Sequence, residues 1–176
     1  MNYCALGIET IGQPPKRIRT IGVARFRDYR LEGTWSCAAG MDSLGVADGT
    51  GEAQPAAQTM ARLAEALAEL GRCVGPGVVV HHSPSVRTAV QSAARRQGVV
   101  LPPWTWLDSE SLALLAWPTF QGRCSHLLSI TRRLRIDCAR RGCVDHAVAT
   151  GTILARIAAA AAIGLDRRVV SSPVAA

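Results

Sequence analysis

Residues 3–8 (YCALGI) form a short apolar run that predicts a buried strand opening the domain. Gln13-Pro14-Pro15 marks a turn. From Arg19 to Phe26 (RTIGVARF) the pattern alternates, with Ile21, Val23 and Phe26 set against Arg25 and Arg27. That is the period of a half-buried strand. Asp28-Tyr29 makes a short turn, and alternation resumes from Arg30 to Ala38 through Leu31, Gly33, Trp35 and Cys37. Such short links predict a three-stranded antiparallel meander. Residues 40–54 are rich in Gly, Asp, Ser and Thr and predict a loop.

From Pro55 the period becomes helical, with Met60, Leu63, Leu67 and Leu70 in phase, and Gly75-Pro76-Gly77 ends the connection. GVVVHH (residues 77–82) is a short apolar strand of the kind buried on both faces. Ser83-Pro84 opens a helix that runs to Gln97 and stops at Gly98. Trp104–Leu107 predicts a fifth strand. Helices are predicted over Ser109–Trp117, Ser125–Arg135, and Cys143 to about Ile163. The order βββαβαβααα predicts an α/β domain: a mixed five-stranded sheet with helices on both faces. The 176 residues suit one domain over 1–165, followed by a loose tail at 166–176.

Composition narrows the class. Apolar residues make up 48% and charged residues 19%, which excludes a disordered chain. No apolar run reaches the roughly 18 residues of a membrane span, and the first ten residues lack the features of a signal peptide. The expectation is a cytoplasmic protein with no membrane partner. The six cysteines form no CxxC pair, so free thiols are expected and no zinc site. The net charge of +7 is uneven: residues 121–176 hold nine Arg against three acids. A polyanion partner, most often nucleic acid, is one reading of that asymmetry. A solvated helical face in an arginine-rich chain is the other, since Lys16 is the one lysine.

Four segments carry a resemblance. YCALGIETIG followed by RIRTIGVARF resembles the opening of the DnaQ-like (DEDDh-type) 3′–5′ exonuclease family, where the first strand reads DxET. VVVHHSPSVRTAV resembles its second motif, hNxxFDxxfL. WTWLDSESLALLAWP resembles its "lDT…La…P" segment, with Asp108 and Pro118 in place. HLLSITRRLRI followed by CVDHAVATGTIL resembles its closing helix pair, HxALxDAxxTxxiL. The resemblance runs from about residue 3 to residue 160 and implies the ribonuclease-H-like exonuclease fold.

That family's chemistry uses four carboxylates around two divalent metals about 4 Å apart, plus a histidine base. Carried over, the first acid falls on Gly7 and the second on Glu9, with Thr10 beside it. The third falls on Val86, the fourth on His146 and the base on Arg141. One carboxylate of four remains. Two dications at 4 Å repel by roughly 4 kcal/mol even at the dielectric constant of water, and Glu9 alone does not cancel that. A guanidinium is no base. The resemblance therefore implies a degenerate site with no catalytic residues and no metal, hence no cofactor. Mg²⁺ or Mn²⁺ enters only under the alternative of an active exonuclease with rearranged ligands.

Two escapes are weighed. A one-residue shift would bring Asp145 toward the site, but it turns the side chain by about 100° and spoils the Ala147/Thr150 match. His81, His82 and His146 with Glu9 offer transition-metal ligands, but a packed histidine is commoner inside a strand. Glu9 is expected to pair with Arg141 or His146. Trp104, Trp106 and Trp117 are read as packing. The densest basic stretch is Arg132, Arg133 and Arg135 with Arg140 and Arg141; Arg132 and Arg135 share a helix face. With Thr10, His82 and Arg87 these are the candidate nucleic-acid contacts, to a single strand or a duplex end. The functional expectation is a catalytically inactive DnaQ-like domain that binds nucleic acid or serves a nucleoprotein complex. The alternatives are the active nuclease and a purely protein-interaction subunit. Many relatives form homodimers, and the resemblance extends that expectation here.

Overall fold

The computed structural model describes residues 1–12, 17–39, 56–120, 126–138 and 142–170, with backbone alone at 56–59 and 163–170. The expected turn at 13–15, the loop at 40–54, Arg140 and Arg141 lie outside the described residues.

Strands β1 (Tyr3–Ile11), β2 (Arg17–Arg27) and β3 (Arg30–Ala38) form the antiparallel meander. Asp28 and Tyr29 take φ of 49° and 64°, the left-handed pair whose twist suits a two-residue hairpin turn. Helix α1 (Ala56–Val74) leads to β4 (Gly77–His81), which lies parallel to β1. Helix α2 (Pro84–Gln97) starts on the Ser83 side chain, which accepts from the Ser85 amide, and stops on Gly98 at φ 65°. Strand β5 (Trp104–Asp108) adds parallel to β4 and runs into α3 (Ser109–Ala116). A single 3-10 turn at Pro118–Phe120, α4 (Leu127–Leu134) and α5 (Cys143–Val170) complete the order. The sheet order is β3-β2-β1-β4-β5, a mixed five-stranded sheet as expected.

Both faces are covered. Leu6, Ile21, Val23 and Val79 pack under Leu67 and Leu70 of α1 and Val90, Ala93 and Ala94 of α2. Tyr3, Ala5, Ala24, Phe26 and Val80 pack under Ala147 and Leu154 of α5. Neighbours Val79 and Val80 enter opposite clusters, so β4 is buried on both sides, as its apolar run predicts.

On the α5 side the β1–β2 pairs taper from Tyr3 and Phe26 down to a glycine pair, beyond which Glu9 and Thr20 follow. Tyr3 faces Phe26, Ala5 faces Ala24, Gly7 faces Gly22 and Glu9 faces Thr20. The Tyr3 and Phe26 rings stack at 4.9 Å, and the Tyr3 hydroxyl donates to the Gly151 carbonyl at 2.8 Å. At the glycine pair α5 comes down onto the strands themselves. A Cβ on Gly7 would stand 2.1 Å from the Cys143 carbonyl oxygen, and one on Gly22 would stand 2.5 Å from the Cys143 carbonyl carbon. Strand side-chain size thus sets where the helix touches the sheet.

Some expected boundaries move. β1 runs on to Ile11 because its far end pairs with β2 as far as Arg17. α5 continues to Val170, past the expected tail start at 166. Met60 is 54% exposed, because the core under α1 begins a turn later at Leu63 and Ala66. Arg135 does not share a helix face with Arg132. It is the left-handed cap of α4, at φ 53°, where its amide donates to the Arg132 and Thr131 carbonyls.

Candidate functional site

Of the expected site positions, Gly7 and Glu9 lie at the end of β1, against the start of α5. Gly7 is buried under the first turn of α5, and the space in front of it is filled by the Cys143 carbonyl and the Ala147 amide. Two residues on, half-buried Glu9 accepts a hydrogen bond from Thr20 Oγ1 at 2.6 Å. That contact replaces the expected pairing with His146; the cross-strand register sets Thr20 directly opposite Glu9. Arg141, the other expected partner, lies outside the described residues.

An open pocket of roughly 370 Å³ lies beside Glu9, walled by Thr20, Ser36, Ala38 and the residues from Gly142 to Asp145. Asp145, but not His146, is among the α5 residues that line this pocket, so an acid reaches it without any register shift. Among the described residues no group of three or more His, Cys, Asp or Glu is placed to hold a metal ion. The buried Cys143 thiol meets Thr20 and the Glu9 carboxylate. Burial raises its pKa, the Glu9 charge adds to that, and its contacts with Thr20 and the helix-start amides oppose it. The thiol is therefore the resting form.

The other candidates are dispersed. Val86 packs against the apolar cluster of Leu6, Val79 and Val90 and does not line the pocket. His146 is half-buried, with its amide donating to the Gly142 carbonyl at 3.2 Å. Thr10 is half-buried just past the register shift where β2 carries the extra residue Arg19. His82 is buried with Nδ1 2.9 Å from Ser109 Oγ. His81, also buried, lies 5.7 Å from the Trp106 ring, and its Nδ1 has no partner among the described residues. Burial holds its pKa below the usual value. Asp108 caps α3 by accepting from the Glu110 amide and the Ser111 hydroxyl, both at 2.9 Å.

The four-carboxylate arrangement for two metal ions does not fit. At Gly7 the needed volume is backbone and Val86 serves the core, so Glu9 and Asp145 are the carboxylates on the pocket among the described residues. The basic candidates fare differently. Arg132 and Arg135 are exposed, with no ion pair among the described residues. Arg133 lies 5.3 Å from the Phe120 ring centre and donates to the Thr119 carbonyl at 3.5 Å, tying α4 to the turn before it. Arg87 is exposed over Trp106 at 5.9 Å. Trp104, which donates to the Gly75 carbonyl at 2.7 Å, and Trp106 pack edge to face as expected. Counting charge along the chain missed one feature. Arg17, Arg19, Arg25, Arg27 and Arg30 gather on neighbouring strands β2 and β3, a grouping visible only once the strands are paired.

A mixed sheet in this order, with a closing helix over the first strand, is the ribonuclease-H-like fold of the DEDDh exonucleases. Solved structures of several nucleases share it. The nuclease domain of 3'hExo, a DEDDh family member bound to rAMP, is similar with TM-score 0.63 at 12% identity, over 90% of this chain and 92% of that one. Exonuclease X in complex with 5′-overhanging duplex DNA gives 0.56 at 16%, over 91% and 93%. A 3′-exonuclease in 3′-end-specific recognition of a histone mRNA stem-loop gives 0.55 at 15%, over 93% and 81%. No protein-family model matches the sequence, and no curated protein matches it. Among the described residues no helix is long and apolar enough to cross a membrane.

Proposed function

We propose that this chain is a catalytically inactive DnaQ-like exonuclease domain that binds nucleic acid, working in the cytoplasm as an accessory part of a nucleoprotein assembly. One observation carries the inactive half: the first turn of α5 rests on the Gly7–Gly22 pair, where the first metal-binding carboxylate of a working nuclease would project. The binding half is supported by the nucleic acids and nucleotide named with the similar structures. Arg132 and Arg135 at the end of α4, exposed and without an ion pair among the described residues, support it too.

The test uses an end-labelled single strand and the full chain. With Mg²⁺ or Mn²⁺ the strand keeps its length, and Glu9→Ala changes nothing. Binding weakens with salt, and Arg132→Ala and Arg135→Ala each lower the salt slope by about 0.7. Metal-dependent shortening abolished by Glu9→Ala overturns the inactive reading, and salt-independent binding overturns the phosphate contact.

A further inference from the structure

Strand β3 is an edge with no strand on its outer side among the described residues. Proteins blunt such edges with charge, proline or a covering element. From Gly33 to Ala38 this one has neither charge nor proline, and alternate residues Thr34, Ser36 and Ala38 are exposed. The hydrogen-bond phase is fixed by one contact. The Ala39 amide donates to the Arg19 carbonyl at 2.7 Å, so residue 39 points its backbone toward β2. In an antiparallel pair this direction alternates. Cys37, Trp35 and Gly33 therefore point inward, while Thr34, Ser36 and Ala38 turn their amides and carbonyls to solvent.

The charge carried on β2 and β3 themselves is nearly all of one sign, while Glu65 and Glu69 of α1 act on Cys37, and Glu9 and Asp145 line the pocket at the Ser36 and Ala38 end. Arg17, Arg19, Arg25, Arg27 and Arg30 are all exposed, and the one acid on β2 and β3, Glu32, is taken by Arg27 at 2.7 Å. Arg25 stands opposite Gly33, whose missing side chain leaves the way to the edge open. A second copy of this chain would bring the same arginines together. A phosphodiester backbone would satisfy the arginines but would accept only, leaving the outward carbonyls unmatched. We propose that the β3 edge takes an extended acidic peptide segment of a partner protein as a sixth strand. Backbone pairing supplies the grip, and carboxylates flanking the strand meet the arginines.

The test titrates the full chain, by calorimetry and amide exchange, with a capped peptide as long as β3 that alternates threonine and glutamate. Its lysine counterpart is the control. The glutamate peptide binds, protects the Thr34 and Ser36 amides and loosens with salt; the lysine peptide does not bind. Ser36→Pro removes an outward amide without touching the β2 ladder and weakens binding about tenfold or more, while Ser36→Ala binds as the parent does. Ala38→Pro repeats the test if Ser36→Pro lowers the melting temperature. Four results overturn the proposal: no binding, equal binding of the lysine peptide, indifference to both prolines, or displacement of the peptide by a single-stranded oligonucleotide. A dimer broken by Ser36→Pro overturns it as well, because a second copy then owns the edge. None of these depends on whether the domain is a nuclease.

Discussion

Adding one methyl group at Gly7 or Gly22 tests the contact on which the inactive reading stands. The Gly7 Cβ would stand 2.1 Å from the Cys143 carbonyl oxygen, whereas ordinary contact begins at 3.4 Å, so the oxygen must retreat by 3.4 − 2.1 = 1.3 Å. It belongs to a helix backbone, not to a rotatable side-chain tip, and Ala147, fully buried one turn on, must move with it. Overpacking of this kind costs about 3 kcal/mol, the upper end of the usual range. For a domain of this size that lowers the melting temperature by about 6–12 °C. Gly22→Ala meets the same turn at 2.5 Å and falls in the same range. Gly33→Ala, with nothing within 4 Å of its Cβ, is the control and stays within about 0.5 kcal/mol of the parent. Melts followed by circular dichroism, with amide exchange over residues 143–147, read both stability and helix docking. If Gly7→Ala and Gly22→Ala melt with Gly33→Ala, α5 does not rest on the glycine pair and the reasoning fails.

Two further outcomes follow from the same packing. Burial lowers the His81 pKa below 6.5, with Arg87 adding to the shift and Asp108 and the Ser83 backbone opposing it. The unfolded chain then binds the proton more readily, so stability is whole above about pH 6.5 and declines as pH falls toward the folded-state value. His81→Gln flattens that decline in denaturant titrations across pH, and an unchanged slope assigns it elsewhere. At the wide end of the taper, Gly151→Ala sets a methyl 2.1 Å from Phe26 Cε2 and costs about 2–3 kcal/mol. With Phe26→Leu in the same chain the loss is smaller than the sum of the two by about 1 kcal/mol or more, and strict additivity places the contact elsewhere.

Local signals read true wherever the chemistry is local. Ser83-Pro84 and Gly98 bracket α2 because a hydroxyl cap, a proline of fixed φ and a left-handed glycine each act within a few residues. The β3 bounds and the Asp28-Tyr29 turn followed from alternation and its interruption. The Thr20 hydrogen bond to Glu9 was not legible, because Thr20 reaches it only through the β1–β2 register. The resemblance singled out Gly7; that Gly22 faces it and that α5 comes down onto the pair depends on strand pairing and helix docking. Arg135 was assigned by helical spacing to a helix that ends one residue earlier. The β2–β3 arginines were diluted by acids elsewhere in the first two-thirds of the chain, so a running count of charge did not separate them.

The glycine pair limits what position 7 can carry. Backbone interlocks there, so a mutation bringing aspartate to position 7 meets a wall before it can meet a cation. An acid at that place would demand that the helix first be lifted, at a cost in folding. Under the inactive reading the glycine pair is a keystone, and the fit that holds descendants of this chain together also holds them to scaffolding.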